Sequence, residues 1–331
     1  MSNATKLAKT FVGIVVLILV LAAVVPLLTV SGGGETRTAM NASTFEPSKN
    51  LADVPDDNGT ISVDATGESK VVVIDRAHAN GFTREQLQPF IQSLVDAGHE
   101  VRFHGTGNDQ LQSPNLNTSL RGADAYVVAA PRRPYTPSEV RGVSDFADRG
   151  GRVLMLAEPS STQVSGGLLS GLSIERVSTE MTSLASGFGM SVGTGYLYNM
   201  HDNANNFKHI YAVPSNDAAM TDGVSRTVFQ GATPISANAS SAEPVLTATD
   251  RTHLSSTRAN STYAVAARNG NVTLVGDASF LGPSYYLNAD NEALIGNSIE
   301  FLVSGEKTEK STPAQPESGS TGGGFRPPSG R

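Results

Sequence analysis

The sequence predicts an α/β domain, a parallel sheet with helices on both faces, held outside a membrane by one N-terminal transmembrane helix. Short apolar runs alternate with helical patterns from residue 70 to residue 157. Polar side chains gather directly after those runs, where open α/β sheets place their ligand sites. An uncharged apolar stretch fills residues 11–30.

Phe11–Val30, FVGIVVLILVLAAVVPLLTV, is 20 residues long, and as a helix it would cover about 30 Å, the depth of a bilayer core. Lys6 and Lys9 precede it and Glu35 and Arg37 follow, so the lysine bias sets residues 1–10 in the cytoplasm and the main domain outside. A cleaved signal peptide is the competing expectation. The run is long for an h-region, and Ser31-Gly32-Gly33-Gly34 follows it instead of an A-x-A site, which favours an uncleaved anchor. N-x-Ser/Thr triplets at Asn41, Asn58, Asn117, Asn238, Asn260 and Asn271 fit an external location and possible N-glycosylation.

Residues 31–69 read as a flexible linker of Gly, Ser, Thr, Asn and Asp, with Ile61–Val63 as a short edge strand. Val71 to Asp75 is the first core strand. Thr83 with Gln86 three residues on forms a capping box, opening a helix whose buried stripe is Leu87, Phe90, Ile91, Leu94 and Val95 and which ends at Gly98. Glu100 to His104 and Ala125 to Ala130 are the next strands, the latter apolar throughout as a strand covered on both faces should be. Thr136-Pro137-Ser138-Glu139 supplies an N-cap, Pro at N1 and Glu at N3 for a helix running to Gly150-Gly151. Arg152 to Ala157 is the fourth strand. Strands and helices in this alternation require right-handed βαβ units.

The second half is less regular. The pattern predicts a short helix near Gln163 to Ser170 and strands at Leu172–Val177, Gly195–Asn199, His209–Val213 and Val245–Thr249. Thr262–Arg268 and Asn271–Gly276 form a hairpin about Asn269-Gly270. A last helix runs from about Asn291 to Leu302, closing an α/β domain over residues 70–304. Residues 305–331 lack the apolar content to fold and read as a disordered tail.

Composition removes several functions. The chain has 331 residues and a net charge of −7, with no basic footprint of the kind nucleic acid requires. It contains no cysteine, so disulfides, thiolate metal sites and thiol nucleophiles are excluded.

VVVIDRAHANGFT, GADAYVVAAPRRPYTPSEV, DFADRGGRVLMLAEP, MTDGV and VTLVGDASFL followed by NADNEALIGNSIEFL resemble, in that order, a family of extracytoplasmic domains of unknown function (DUF4350-like). That family is related to the auxiliary component of gliding-motility ABC transporters. The resemblance implies a flavodoxin-like, class I glutamine amidotransferase-like fold. In amidotransferases of that fold the catalytic cysteine follows the strand corresponding to Arg152–Ala157, with a His and a Glu supplied later. Here the turn reads Glu158-Pro159-Ser160-Ser161, so glutamine hydrolysis by that route is excluded. Ser160 as a nucleophile lacks the Gly-x-Ser-x-Gly frame of a serine elbow.

The ligand-binding candidates are the polar residues that follow strands: Asp75, His78 and Asn80 after the first, Arg132 and Arg133 after the third, Glu158 and Ser160 after the fourth, and Asp277 after a later one. Together they suit a sugar, a peptide carboxylate or an anion. The alternative is that the aspartates cap turns, His78 bonds backbone and the arginines stay solvated. Tyr196 to His209, YLYNMHDNANNFKH, is the densest polar and aromatic stretch. Tyr196, Asn199, Asp202 and Asn206 are its candidates for an adaptable binding loop, against an Asn-rich surface turn. His201 and His209 lack a zinc spacing, and no calcium loop is present. No catalytic residue, metal or cofactor is expected.

These observations, with the resemblance, predict a single-pass membrane protein that serves as a non-catalytic binding or accessory subunit, partnering membrane transporter or envelope proteins in a transport or envelope-assembly complex. An extracytoplasmic hydrolase acting on glycans, with Glu158 or Asp277 as acid or base, is the second expectation, and a structural surface protein the third.

Overall fold

The computed structural model describes residues 56–64, 67–105, 115–167, 171–216 and 219–308, with backbone alone for 161–167 and 171–177. The expected membrane helix, most of the linker and the tail beyond 308 lie outside the described residues. Among the described residues no helix is long and apolar enough to cross a membrane.

In chain order the first half contains β1 (Val71–Asp75), α1 (Gln88–Asp96), β2 (Glu100–His104), α2 (Leu116–Arg121), β3 (Ala125–Ala129), α3 (Pro137–Asp148) and β4 (Arg152–Leu156). The second contains β5 (Ser161–Gly167), β6 (Gly171–Val177), α4 (Thr182–Ser186), β7 (Met190–Val192), β8 (Leu197–Tyr198), β9 (His209–Pro214), β10 (Thr227–Gln230), β11 (Ile235–Ala237), β12 (Glu243–Ala248), β13 (His253–Leu254), β14 (Ala264–Asn269), β15 (Val272–Val275) and α5 (Asn291–Val303). The main sheet runs β10-β9-β12-β14-β15-β4-β3-β1-β2, and β11 joins β14 to β7. From β2 to β15 all pairings are parallel. From β15 to β10 all are antiparallel. β1 pairs with β2 on one side and β3 on the other, so the order reverses at β1 and leaves a crevice at the carboxyl ends of these strands.

Each sheet face buries its own core. Phe90 and Leu94 of α1 and Leu294 and Ile299 of α5 pack with Val72, Ile74 and Val127. Leu120 of α2, Val143 and Phe146 of α3 and Leu184 of α4 pack with Val73, Tyr126 and Val128 on the other face. The alternation of Val72, Val73 and Ile74 between the two clusters is the period-two geometry of a strand. β3 is buried along its whole length, as its apolar sequence requires.

Local chemistry sets the helix starts. Thr136 Oγ1 accepts from Glu139 N at 3.3 Å and Glu139 Oε2 accepts from Thr136 N at 2.8 Å, a complete capping box ahead of Pro137. The Thr83–Gln86 box also forms, but residues 84–87 make a turn and the regular helix begins at Gln88, just before Pro89.

The structure corrects four local expectations. The segment read as a helix near Gln163 is β5, hairpinned to β6; Gly166-Gly167 carries a helix penalty of roughly 1 kcal/mol per glycine. Ile61–Val63 is not a strand: both side chains pack on the core while the backbone passes over Gly296 of α5, where a side chain would strike the Ser62 carbonyl. The β14–β15 turn is Gly270-Asn271, with Asn269 paired to Val272 and Gly270 at φ +51°, one residue later than the Asn-Gly dipeptide implies. The fold also continues past 304, where Lys307 Nζ donates to the carbonyls of Leu120, Arg121 and Ala123 at the end of α2.

Candidate functional site

Two clusters of ionisable side chains stand at the carboxyl edge of the parallel strands. The first closes over the end of β1. Asp75 is 1% exposed and His78 is 5% exposed. His78 Nδ1 lies 2.9 Å from Asp75 Oδ2, its Nε2 lies 3.6 Å from Glu139 Oε1, and its ring stacks on Tyr135 at 3.8 Å. Tyr135 OH donates to Asp75 Oδ2 at 3.1 Å and meets Tyr126 OH at 3.0 Å. Burial alone would discharge this imidazole, but hydrogen bonds to Asp75 and Glu139 outweigh it and raise the His78 pKa to about 9. The Glu139 carboxyl, hydrogen-bonded to His78 and capping α3, falls to about 2. Burial would raise Asp75, yet His78 holds it below the ordinary aspartate value. The trio is therefore an imidazolium between two carboxylates at neutral pH. It fixes the loop: the His78 carbonyl accepts from the amides of both Arg132 and Arg133, and Asn80 Nδ2 donates to the Ala129 carbonyl at 3.1 Å. Ala79 and Ala130 take positive φ, 50° and 44°, a local strain found where surrounding structure over-determines a site.

The second cluster opens to the crevice. Glu158 follows β4 on the turn where the family resemblance implied a nucleophile. Its Oε1 accepts from Ala278 N at 2.9 Å, and its carboxyl hydrogen-bonds that of Asp277, which follows β15 and is completely buried. Asp277 also accepts from Gln230 N at 2.7 Å and from the amide and hydroxyl of Ser279, each at 2.8 Å. Burial, then the neighbouring Asp277, push the Glu158 carboxyl well above the usual range. Burial raises Asp277 too, opposed by its hydrogen bonds from Glu158, Ser279 and Gln230. Asp277, though sealed from water, receives three hydrogen bonds from Gln230 and Ser279 while Glu158 receives one from the Ala278 amide, which favours the anion on Asp277 and the proton of the pair on Glu158.

Glu158 forms part of two adjoining hollows. One, of about 180 Å³, is walled by Gly81, Arg132, Pro159 and Thr179. The other, of about 380 Å³, is walled by Phe82, Gln86, Gln230, Ser284 and Tyr285. The Arg132 side chain lies against Gly81, where an added methyl group would sit 3.4 Å from its Nε. Among the described residues neither Arg132 nor Arg133 has a side-chain hydrogen bond or ion pair, and both are exposed. Ser160 lies just past Glu158, half-buried.

Asp75, His78, Asn80, Arg132, Arg133, Glu158, Ser160 and Asp277 thus share the strand ends, and of these only Arg132 and Glu158 wall the hollows. The Tyr196–His209 segment belongs to neither hollow. Asn199 is fully buried, with Nδ2 donating to the Asp250 carbonyl and Thr252 and Oδ1 accepting from the amides of His201 and Asp202. Asn206 Oδ1 accepts from Lys208 N in a tight turn, and the Tyr196 ring carries Lys208 Nζ at 4.6 Å. Sequence reasoning missed Glu139 as a partner of His78, because its capping-box position already explained it. Gln230 and Tyr285 were missed because β10 and the Pro283–Tyr286 loop carry no motif. Among the described residues no cluster of His, Asp and Glu could hold a metal ion.

The fold is similar to that of the mmIFT52 N-terminal domain, at 14% identity and a TM-score of 0.53, with 70% of this chain and 96% of that domain covered. A ThuA-like protein from Parabacteroides merdae, at 11% identity, matches with 76% and 94% covered and a TM-score of 0.37. The glutaminase domain of CTPS from Trypanosoma brucei, at 10% identity, matches with 75% and 98% covered and a TM-score of 0.36. The first likeness shows a shared α/β fold, and the other two scores are too low to bear on it. No curated protein matches the chain. The model of a domain of unknown function, DUF4350, matches residues 90–298, and the chain belongs to that family.

Proposed function

We propose that this chain is a non-catalytic binding subunit, displayed outside the membrane by its N-terminal apolar segment and working beside transporter or envelope proteins. The observation that carries the binding part is the state of the acid–base groups around the crevice. His78 is consumed by two carboxylates, Asp277 is sealed from solvent, and Glu158 holds a proton against it. None is poised to activate a nucleophile, whereas Arg132 and Glu158 line hollows with both polar and apolar walls. A class I amidotransferase-like ancestry is in keeping with this reading, with a carboxyl group standing where that chemistry would need a thiol.

A glycan hydrolase draws less support. It requires two carboxylates about 5 to 10 Å apart with the scissile bond between them, and Glu158 and Asp277 are in hydrogen-bond contact. The external location and the accessory role rest on the sequence: the lysine bias, the apolar run and the family resemblance. Of the described sequons, Asn58, Asn238 and Asn260 are exposed, while Asn117 is 5% exposed within α2 and the Asn271 side chain is half-buried and hydrogen-bonded to Ala147 and Arg152, so any glycans would belong on the first three. The test is affinity purification of the intact chain from membranes in mild detergent. Co-purification of membrane transporter or envelope subunits is expected; recovery as a lone monomer would contradict the accessory role.

A further inference from the structure

The two hollows that meet at Glu158 differ in chemistry, and the difference selects a ligand. The smaller presents the Arg132 guanidinium, which has no countercharge among the described residues. An unpaired guanidinium in a concave site is suited to a carboxylate, which it can take through two parallel N–H···O bonds. Among the described residues, Glu158 is the sole acidic or basic side chain of the larger hollow; amides and hydroxyls of Gln86, Gln230 and Ser284 alternate there with the rings of Phe82 and Tyr285. Hydroxyl-rich rings bind to such walls, with C–H faces on aromatic rings and hydroxyls on amides. Its volume of about 380 Å³ falls within the range of small-molecule sites.

Resting on the binding role proposed above, we infer that the crevice takes a carboxylate-bearing sugar of the uronic-acid class, with the carboxylate on Arg132 and the ring hydroxyls on Glu158, Gln230 and Ser284. Glu158 is the hinge of this arrangement. An ionised Glu158 would repel the ligand carboxylate and compete for Arg132. Held protonated by Asp277, it adds an O–H donor and no charge at the crevice surface.

The test is calorimetric titration of the full chain in detergent with glucuronate, glucose, acetate and tetra-alanine, at neutral pH. Glucuronate is expected to bind at least about tenfold more tightly than any of the others, the size of one charge-assisted contact. Arg132→Gln, an exposed position whose unfolding midpoint should match the wild type, is expected to lose about 10- to 100-fold in glucuronate affinity and to leave glucose unchanged. Equal binding of glucose and glucuronate, preference for tetra-alanine or acetate, an unaffected Arg132→Gln or no binding at all would each overturn the inference. Co-purification of membrane partners is read separately, so a chain that finds its partners yet ignores glucuronate would lose this inference alone.

Discussion

The two carboxylate clusters at the sheet edge use the same functional groups to opposite ends. Asp75 and Glu139 have an imidazole between them, so both are ionised and the loop after β1 is clamped shut. Glu158 and Asp277 have nothing between them, so one proton is retained and the turn after β4 offers a neutral acid to the crevice. What separates a structural clamp from a recognition surface here is a single intervening cation, together with the greater number of donors that Gln230 and Ser279 deliver to Asp277 than Ala278 delivers to Glu158.

The largest effect should come from removing that cation. His78→Gln leaves Asp75 buried without its countercharge and should cost about 3–5 kcal/mol in urea unfolding at pH 7. Glu158→Gln, which replaces an acid already protonated, should change stability by less than about 1 kcal/mol. Equal losses would erase the distinction between the clusters.

Next is the pH profile. The His78 pKa is raised above its unfolded value, so its stabilisation is complete below about 6.5 and is lost as pH rises through about 9, on the order of 3 kcal/mol in all. The Glu139 pKa is depressed, so its contribution is present above about 4.5 and is lost as pH falls through about 2. The raised Glu158 and Asp277 act in the reverse sense for carboxylates, favouring the fold at low pH and ceasing to do so as pH rises through their folded values. Thermal unfolding followed against pH should show the alkaline decline in wild type and its absence in His78→Gln.

Asp277→Ala strands the Gln230 amide and the Ser279 hydroxyl, and should cost roughly 1–3 kcal/mol by chemical denaturation. A smaller effect is expected from Thr136→Ala. It removes the α3 cap, about 1 kcal/mol, and loosens the carboxyl that faces His78. A measurable fall in the His78 pKa in that variant, read by NMR, would tie the capping box to the clamp.

The parallel half of the fold was legible from sequence because its strands are covered on both faces and punctuated by capping boxes: β1, β2, β3, β4 and α3 sit within a residue of their expected bounds. The antiparallel half was harder. β7, β10 and β11 are three or four residues long, and strands such as β10 owe their place to neighbours distant in sequence rather than to a local pattern. The site divides the same way. That Asp75, His78, Arg132 and Glu158 would lie just past strand ends followed from the strand pattern, though they divide between the clamp and the hollows. That Asp277 would touch Glu158, or that Glu139 would reach back to His78, depends on pairings across more than sixty residues and had no local signal. From Tyr196 to Asn206 the sequence left a binding loop and an Asn-rich turn open, because amides that complete their own turns, as Asn199 and Asn206 do, have the same composition as amides that await a ligand.

The central claim is that Glu158 and Asp277 keep one proton at neutral pH while Asp75 and Glu139 keep none. Infrared difference spectroscopy of the folded chain, comparing wild type with Glu158→Gln at pH 7, reads this directly. A protonated-carboxyl C=O band that disappears in Glu158→Gln and persists in His78→Gln is the expected result; a wild-type spectrum with no such band would contradict the account.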